Sequence, residues 1–483
     1  MRWFLSYICW CLIVIAAGAG PSISGALACG NYSHVWAATD ALNFLAEGDL
    51  QDLLNREGLV EIIRNGAMYP DGGYAVGDGY GETSHWEPFH LTYLEWIRDN
   101  YQPPWSDEAA QHIAFLMGMA AHGMGDQLYD GMYLERHKHY DEHGSEATVF
   151  GVDGATDVCF AITQGQMPLP EKWVPAEVLA PLYEKLNGHQ VSPETILNGH
   201  EFVIVAIMHA NDAQTNPNTV AEYMELYPWA CGNQDNPGAP GSPLTLGRPI
   251  AAYWGVLWAI LHDGGDGFDK PLLATHFTGG TPYDQPMDAS TPDSWVHFVV
   301  PRGLDPATIN TDTVVVTGAG GEVHPVKLHV YYGFNSHLVN IKPLEDWAED
   351  TEYTVTVSPP IAAWDGASLL QSDSFTFATL PEPVVEIVET NELGDVGVAE
   401  TADIVSDEVD AGIAAPDEAA HGAVRGGCSS AHSQGCPPEA CALLVLILCC
   451  LAGLRQRFQQ IRVAVLYEFK QVRRIVLCRN SRN

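Results

Sequence analysis

Positive charge is scarce in this chain: 22 Lys and Arg stand against 61 Asp and Glu, a formal net charge of −39 at pH 7. That imbalance excludes a partner held by broad attraction to phosphate, such as a nucleic acid or an anionic membrane face. It suits an exported protein kept soluble by repulsion. Cysteine is scarce where a scaffold would need it. Of eleven cysteines only Cys29, Cys159 and Cys231 lie outside the two ends, so the body is no disulfide-built fold. A Cys159–Cys231 bridge is compatible with export, and the sequence alone does not require it.

The first end, MRWFLSYICWCLIVIAAGAG, carries one early Arg and an apolar stretch, with ALA before Cys29. This predicts a signal peptide over residues 1–28, whose removal makes Cys29 the new N-terminus. An uncleaved anchor and a lipoprotein signal are the alternatives. At the other end, residues 428–457 place cysteines before an apolar run from Ala442 to Leu454, followed by Arg455 and Arg457. That run is short for a membrane span. It resembles the Cys-containing, Arg-ended sorting tags of myxobacterial surface proteins, which implies membrane contact through this segment. Residues 458–483 form a basic tail with no assigned role.

Between the ends the reading is multidomain. Residues 29–285 repeat apolar side chains at helical spacing, as in EAAQHIAFLMGMAAHGMGDQLY and PETILNGHEFVIVAIMHAND. Ser106-Asp107-Glu108 and Ser192-Pro193-Glu194 supply helix-start signals. The register changes over 286–380, where WVHFVVP, DTVVVTG, VKLHVYY, HLVNIKP, EYTVTVS and SFTFATL alternate and are rich in β-branched residues. A small all-β sandwich is expected there. The order of its segments resembles a bacterial Ig-like domain, and it is read as a spacer or adhesion module. Residues 381–427 are acidic and nearly free of aromatics, the composition of an extended linker.

The chemistry centres on AHGMGD. His122 and Asp126 stand four apart on one helix face, and Asp130 continues that face by a turn. Alone, such a pair is either a satisfied core pair or half of a metal site. His34 in CGNYSH, Asp71 in MYPD and His85 in SHWEPF supply further donors of the type zinc accepts. His200 and His209 are read as core or rim histidines, and the aromatics Tyr32, Trp36, Tyr69 and Trp86 as core sooner than a headgroup cage.

CGNYSH, an Asp after Tyr-Pro, SHW and AHGMGD, in this order, resemble the zinc-dependent phospholipase C family. The similarity is nearest to the N-terminal catalytic domain of glycosylphosphatidylinositol-specific phospholipase D. It covers about residues 29–285 and implies a mainly α-helical zinc phospholipase domain, followed here by the Ig-like sandwich. Carried over position by position, it makes His34, Asp71, His85, His122 and Asp126 zinc ligands, with Cys29 contributing its main-chain amine and carbonyl. Asp71 would bridge ions or act as general base. The family places a His where this chain has Asp130, and its last pair has no matching His, although Asp153 or Asp157 supplies a carboxylate. His137, His139 and His143 in ERHKHYDEHG are displaced ligands or a solvated loop.

Two zinc ions are therefore well provided for, and a third would depend on Asp130 and Asp153. The implied activity is an exported hydrolase, attached to the cell surface or secreted. Its substrates would be phospholipids or glycolipid phosphodiesters. Bound zinc makes water a nucleophile near neutral pH and reverses the local charge that would repel phosphate. A zinc nuclease or phosphatase on another phosphoester is the alternative enzyme. A surface adhesion protein with a degenerate site is the non-enzymatic one.

Overall fold

The computed structural model describes residues 30–141, 149–263, 273–275, 295–333 and 335–380. The expected signal peptide, Cys29, the acidic linker, the sorting segment and the basic tail lie outside the described residues, as does His143.

Fourteen α-helices are described, and those that carry the argument begin with α1 (Asn31–Ala41). The helices α2 (Asp49–Leu54), α3 (Leu59–Met68), α4 (Asp71–Val76), α5 (Tyr80–Ser84) and α6 (Glu87–Asn100) follow. The long helix α7 (Asp107–Leu128) is the axis of the helical region, buried along nearly all of its length. Ser106 caps it by accepting from the Ala109 amide at 3.2 Å, with Asp107 and Glu108 placed against the positive end of the helix.

A π-helical turn, Tyr129–Leu134, leads into α8 (Glu135–Tyr140). Then come α9 (Val149–Gln164), α10 (Ala176–Asn187), α11 (Pro193–Ala213), α12 (Pro217–Leu226), α13 (Pro228–Asn233) and α14 (Gly247–Asp263). Ser192 caps α11 through the Thr195 amide at 3.0 Å, with Pro193 in the first turn where its missing N–H costs nothing. The apolar helix α14 is a core element: Trp254 is fully buried and donates Nε1–H to the Met117 carbonyl of α7 at 2.6 Å. A Cys159–Cys231 disulfide joins α9 to α13.

Among the described residues, seven antiparallel strands make two sheets. They are β1 (Leu273–Thr275), β2 (Val296–Val299), β3 (Val314–Gly318), β4 (Val326–Val330), β5 (Leu338–Pro343), β6 (Glu352–Val357) and β7 (Asp373–Ala378). One sheet runs β1-β2-β5-β4 and the other β3-β6-β7. Val314, Val316, Val355 and Val357 turn inward with Phe298 and Ile341 to form the sandwich core, as alternation along the strands requires. All six sequence-predicted strands are present; β1, which pairs with β2, starts before residue 286.

The sandwich does not hang as a separate spacer. Val299 and Leu338 belong to the same buried cluster as the helices. The Asn340 side chain donates to the Gly131 carbonyl at 3.1 Å, and Gln127 Oε1 accepts from the Ser336 hydroxyl and the His337 amide at 3.0 and 2.7 Å. The sandwich therefore keeps its own core but packs Val299 and Leu338 into the helical one, and the β4–β5 loop is held against the C-terminal end of α7.

Candidate metal centre

Four separate chain segments bring five side chains to one buried point. His34 comes from α1, Asp71 opens α4, His85 directly follows α5 as its C-cap, and His122 and Asp126 share a face of α7. All five are buried. The approach of α7 to His85 is possible because Gly123 has no side chain: a Cβ there would collide with the His85 carbonyl oxygen.

The ring orientations are fixed from behind. His85 Nδ1 lies 2.6 Å from the Gly81 carbonyl, and His122 Nδ1 lies 2.6 Å from the Ala67 carbonyl. A carbonyl only accepts, so both Nδ1 atoms carry the proton. In the neutral rings both Nε2 lone pairs then point inward, and these two nitrogens face each other at 3.0 Å. Two lone pairs at that separation repel unless a proton on one nitrogen, as on the raised His85, or a cation stands between them. Outer hydrogen bonds that set a tautomer in this way are the usual support of metal-binding imidazoles.

The carboxylates complete the arrangement. Asp126 Oδ2 lies 3.1 Å from His85 Nε2 and 3.5 Å from His122 Nε2. Its Oδ1 lies 2.8 Å from His34 Nε2, yet neither atom completes an aligned hydrogen bond. The His34 ring stacks on His122 at 3.7 Å between centroids. Asp71 Oδ2 accepts from the Asn31 amide at 3.0 Å, which leaves Oδ1 toward His122 at 3.6 Å and His85 at 3.8 Å. His34, Asp71 and His122 form one group able to hold a metal ion, and His85, His122 and Asp126 a second.

Two more acids adjoin these groups. Asp130, on the π turn, accepts from the Tyr331 hydroxyl through Oδ2 at 3.0 Å, while its buried Oδ1 has no hydrogen-bond partner among the described residues. Asp153 on α9 is buried with neither oxygen partnered there. Asp157 is different. It accepts from the Tyr32 and Ser33 amides, each at 2.9 Å, and from the Ser33 hydroxyl at 2.7 Å. It thus anchors the start of α1, and the two candidates in α9 separate into an unsatisfied carboxylate and a structural one.

Electrostatics carry the marks of this crowding. Burial and the neighbouring Asp126 charge raise Asp130 to about 8, and burial with the nearby carboxylates raises Asp153 well above its ordinary value. For Asp71, burial opposes ionisation, but His122 and His85 outweigh it and hold the carboxyl down at about 2. Burial would lower His85, yet Asp126 and Asp71 lift it to about 10. Unpartnered buried carboxylates are costly without a cation. Neutral imidazole nitrogens mixed with carboxylate oxygens are the donor set of zinc. The residues present fit the ion.

The other sequence candidates are placed elsewhere. His200 bonds Asn65 Oδ1 at 2.8 Å in the core, and His209 is exposed. The ERHKHYDEHG stretch is no solvated loop through Tyr140: Glu135–Tyr140 is helical, and buried His137 contacts Asp141 Oδ2 at 2.9 Å. Asp141 in turn accepts the Trp229 and Ala230 amides, so this pair braces α8 against α13. Tyr32 and Tyr69 lie in the hydrophobic core, whereas Trp86 packs its ring on Tyr332 of the β4–β5 loop at 4.8 Å. Asn31 and Tyr331 escaped sequence reasoning, and no local pattern marks either; Asp157, a candidate carboxylate there, proves to be the anchor of α1.

Comparison with known proteins gives two partial matches. Residues 275–379 match the family described as bacterial Ig-like domain. The chain is also distantly and partially similar to phosphatidylinositol-glycan-specific phospholipase D. It is 30% identical to the human protein over 185 residues, 35% of this chain and 22% of that one. With the rat protein it shares 28% over 201 residues, 38% and 23% of the two chains. With that of Dictyostelium discoideum it shares 23% over 222 residues, 41% and 22%. The chain thus spans about a fifth of the length of these relatives. Among solved structures, the S-layer protein rSbsC(31-844) aligns over 70% of this chain and 46% of its own, at 9% identity and a TM-score of 0.18, too low to carry an argument.

Proposed function

We propose that the helical region, over residues 29–285, is a zinc-dependent phosphodiesterase of phospholipase C or D type that hydrolyses phospholipids or glycolipid phosphodiesters. The observation that carries this reading is the facing pair of His85 and His122 Nε2 atoms at 3.0 Å, with both tautomers set by backbone carbonyls behind them. The partial similarity to phospholipases D supports the substrate class. The disulfide and the Ig-like region support an exported, surface-associated protein.

His34, His85, His122, Asp126 and Asp71 would hold two ions, with Asp130, Asp153 and the amine and carbonyl of Cys29 completing a third position. When bound, zinc supplies a nucleophilic water and neutralises charge on the phosphate oxygens. The chain's own part is to aim and to accept a proton. Asn31 fixes Asp71 Oδ2, so Oδ1 is presented to the attacking water and takes its proton as the phosphorus–oxygen bond forms. The departing alkoxide recovers a proton from solvent. The acidic surface does not oppose an anionic substrate, because the ions reverse the sign of the field at the site.

Metal analysis of the purified, correctly processed protein, together with an assay on choline and inositol phosphodiesters, tests this. Two or three zinc ions per chain and turnover abolished by chelation and restored by zinc are expected. A folded protein that takes up no zinc would leave the surface-adhesion reading standing instead.

A further inference from the structure

The site contains a residue that the helical region does not supply. Tyr331 sits where β4 ends, in the short loop before β5. Its hydroxyl reaches across to Asp130 at 3.0 Å. The loop cannot swing away freely. Leu338 packs where a Cβ at Gly131 would collide with it, and Ser336, His337 and Asn340 bond Gln127 and Gly131 on either side of Asp130. A hydroxyl delivered on so fixed a strand end selects one rotamer of the acid it touches.

That rotamer has a consequence. With Oδ2 occupied by Tyr331, Oδ1 of Asp130 is left buried and without a partner among the described residues, next to Asp126 and Asp153. An unpartnered buried carboxylate oxygen whose twin is pinned by a hydroxyl is the arrangement of a metal ligand oriented from outside.

We propose that Tyr331 of the Ig-like domain is a positioning residue of the metal centre, orienting Asp130 as the ligand of one ion, so that the site is assembled from both regions of the chain. This rests on the zinc reading above and deepens it. The β-sandwich is then part of the enzyme's metal-binding apparatus, whatever else it contacts.

The test uses the full chain stripped of metal and titrated with zinc alone, against a competing chelator. Tyr331→Phe keeps the ring and removes the hydroxyl. It is expected to weaken one zinc by about 10- to 100-fold, with the remaining ions bound as in the parent. Trp364→Phe removes another hydrogen bond across the same interface, from the indole to Glu87 at 3.1 Å, and is expected to leave every zinc affinity unchanged. In an Asp130→Asn background, Tyr331→Phe should cost nothing further, because its effect passes through the carboxylate. Parent-like zinc binding by Tyr331→Phe, an equal loss in Trp364→Phe, or additive losses in the double variant would each overturn the inference. A parent protein that binds no zinc would instead fail the metalloenzyme reading itself, and the two failures are told apart by that first titration.

Discussion

Asp71 has its two oxygens in different company, and that difference sets its chemistry. One is tied to the Asn31 amide and the other faces the His85 and His122 imidazoles. Asp71→Asn preserves shape and removes both the charge and the proton acceptor. Turnover at saturating zinc is expected to fall by about 100-fold or more, the usual weight of a positioned base. His209→Ala, an exposed change on α11, should leave turnover alone. Steady-state kinetics on a phosphodiester checks this, and equal losses would remove Asp71 from its assigned role. The zinc-type donors could be read in the sequence because His and Asp at helical spacing, repeated in three further short motifs, restrict the chemistry. Asn31, Tyr331 and the anchoring role of Asp157 could not. An amide on a carboxylate, an acid on two distant amides and a hydroxyl from another region are consequences of tertiary placement, and composition leaves no trace of them.

At the scale of elements, α7 controls how closely the ligands converge. Its periodicity and Ser106 cap are plain in the sequence, but the π turn after it is not, because one extra residue per turn shifts the phase without any compositional sign. That turn carries Asp130 beneath Tyr331 and lets the chain run on into α8, where ERHKHY is helical instead of loop. Gly123 is the other device. A methyl group there would meet the His85 carbonyl, backbone against backbone, and no rotamer change relieves such a clash. Gly123→Ala should destabilise the metal-free protein by about 1–3 kcal/mol and weaken zinc binding, because His85 is displaced from His122. Urea unfolding and zinc titration of the same sample measure both effects. A variant with parent stability and parent affinity would show that the approach of α7 is not a constraint.

For the whole molecule, the decisive contact is Glu87, at the start of α6. It receives the Arg302 Nε at 2.6 Å, the Gly303 amide at 2.7 Å and the Trp364 indole at 3.1 Å, with His337 Nε2 at 3.1 Å. All four partners come from the β region, and Glu87 is buried. The sandwich fold was readable from strand alternation, whereas its docking was not, since a single Glu in SHWEPF announces no distant Arg. Burial would raise the Glu87 carboxyl, but His337, Arg302 and the Gly303 amide overcome this and hold it at about 2, below its ordinary 4.5.

A depressed acid stabilises the folded state above its unfolded pKa, and the contribution is lost as pH falls toward the folded one. Between about pH 5 and about pH 3, this group alone should remove roughly 2 kcal/mol of unfolding free energy. His90, held near 3 chiefly by burial and partly raised by the Glu87 charge, adds acid lability of the same sign, and no less of it in the variant. Glu87→Gln keeps the volume and deletes the titration. The variant should be weaker at pH 7, because buried Arg302 loses the Glu87 carboxylate that faces it at 2.6 Å. Its loss of stability between about pH 5 and about pH 3 should be the smaller by that same amount. Denaturant unfolding of the metal-free proteins at the two pH values measures the difference, and parallel acid limbs would show that Glu87 does not couple the sandwich to the helices by charge.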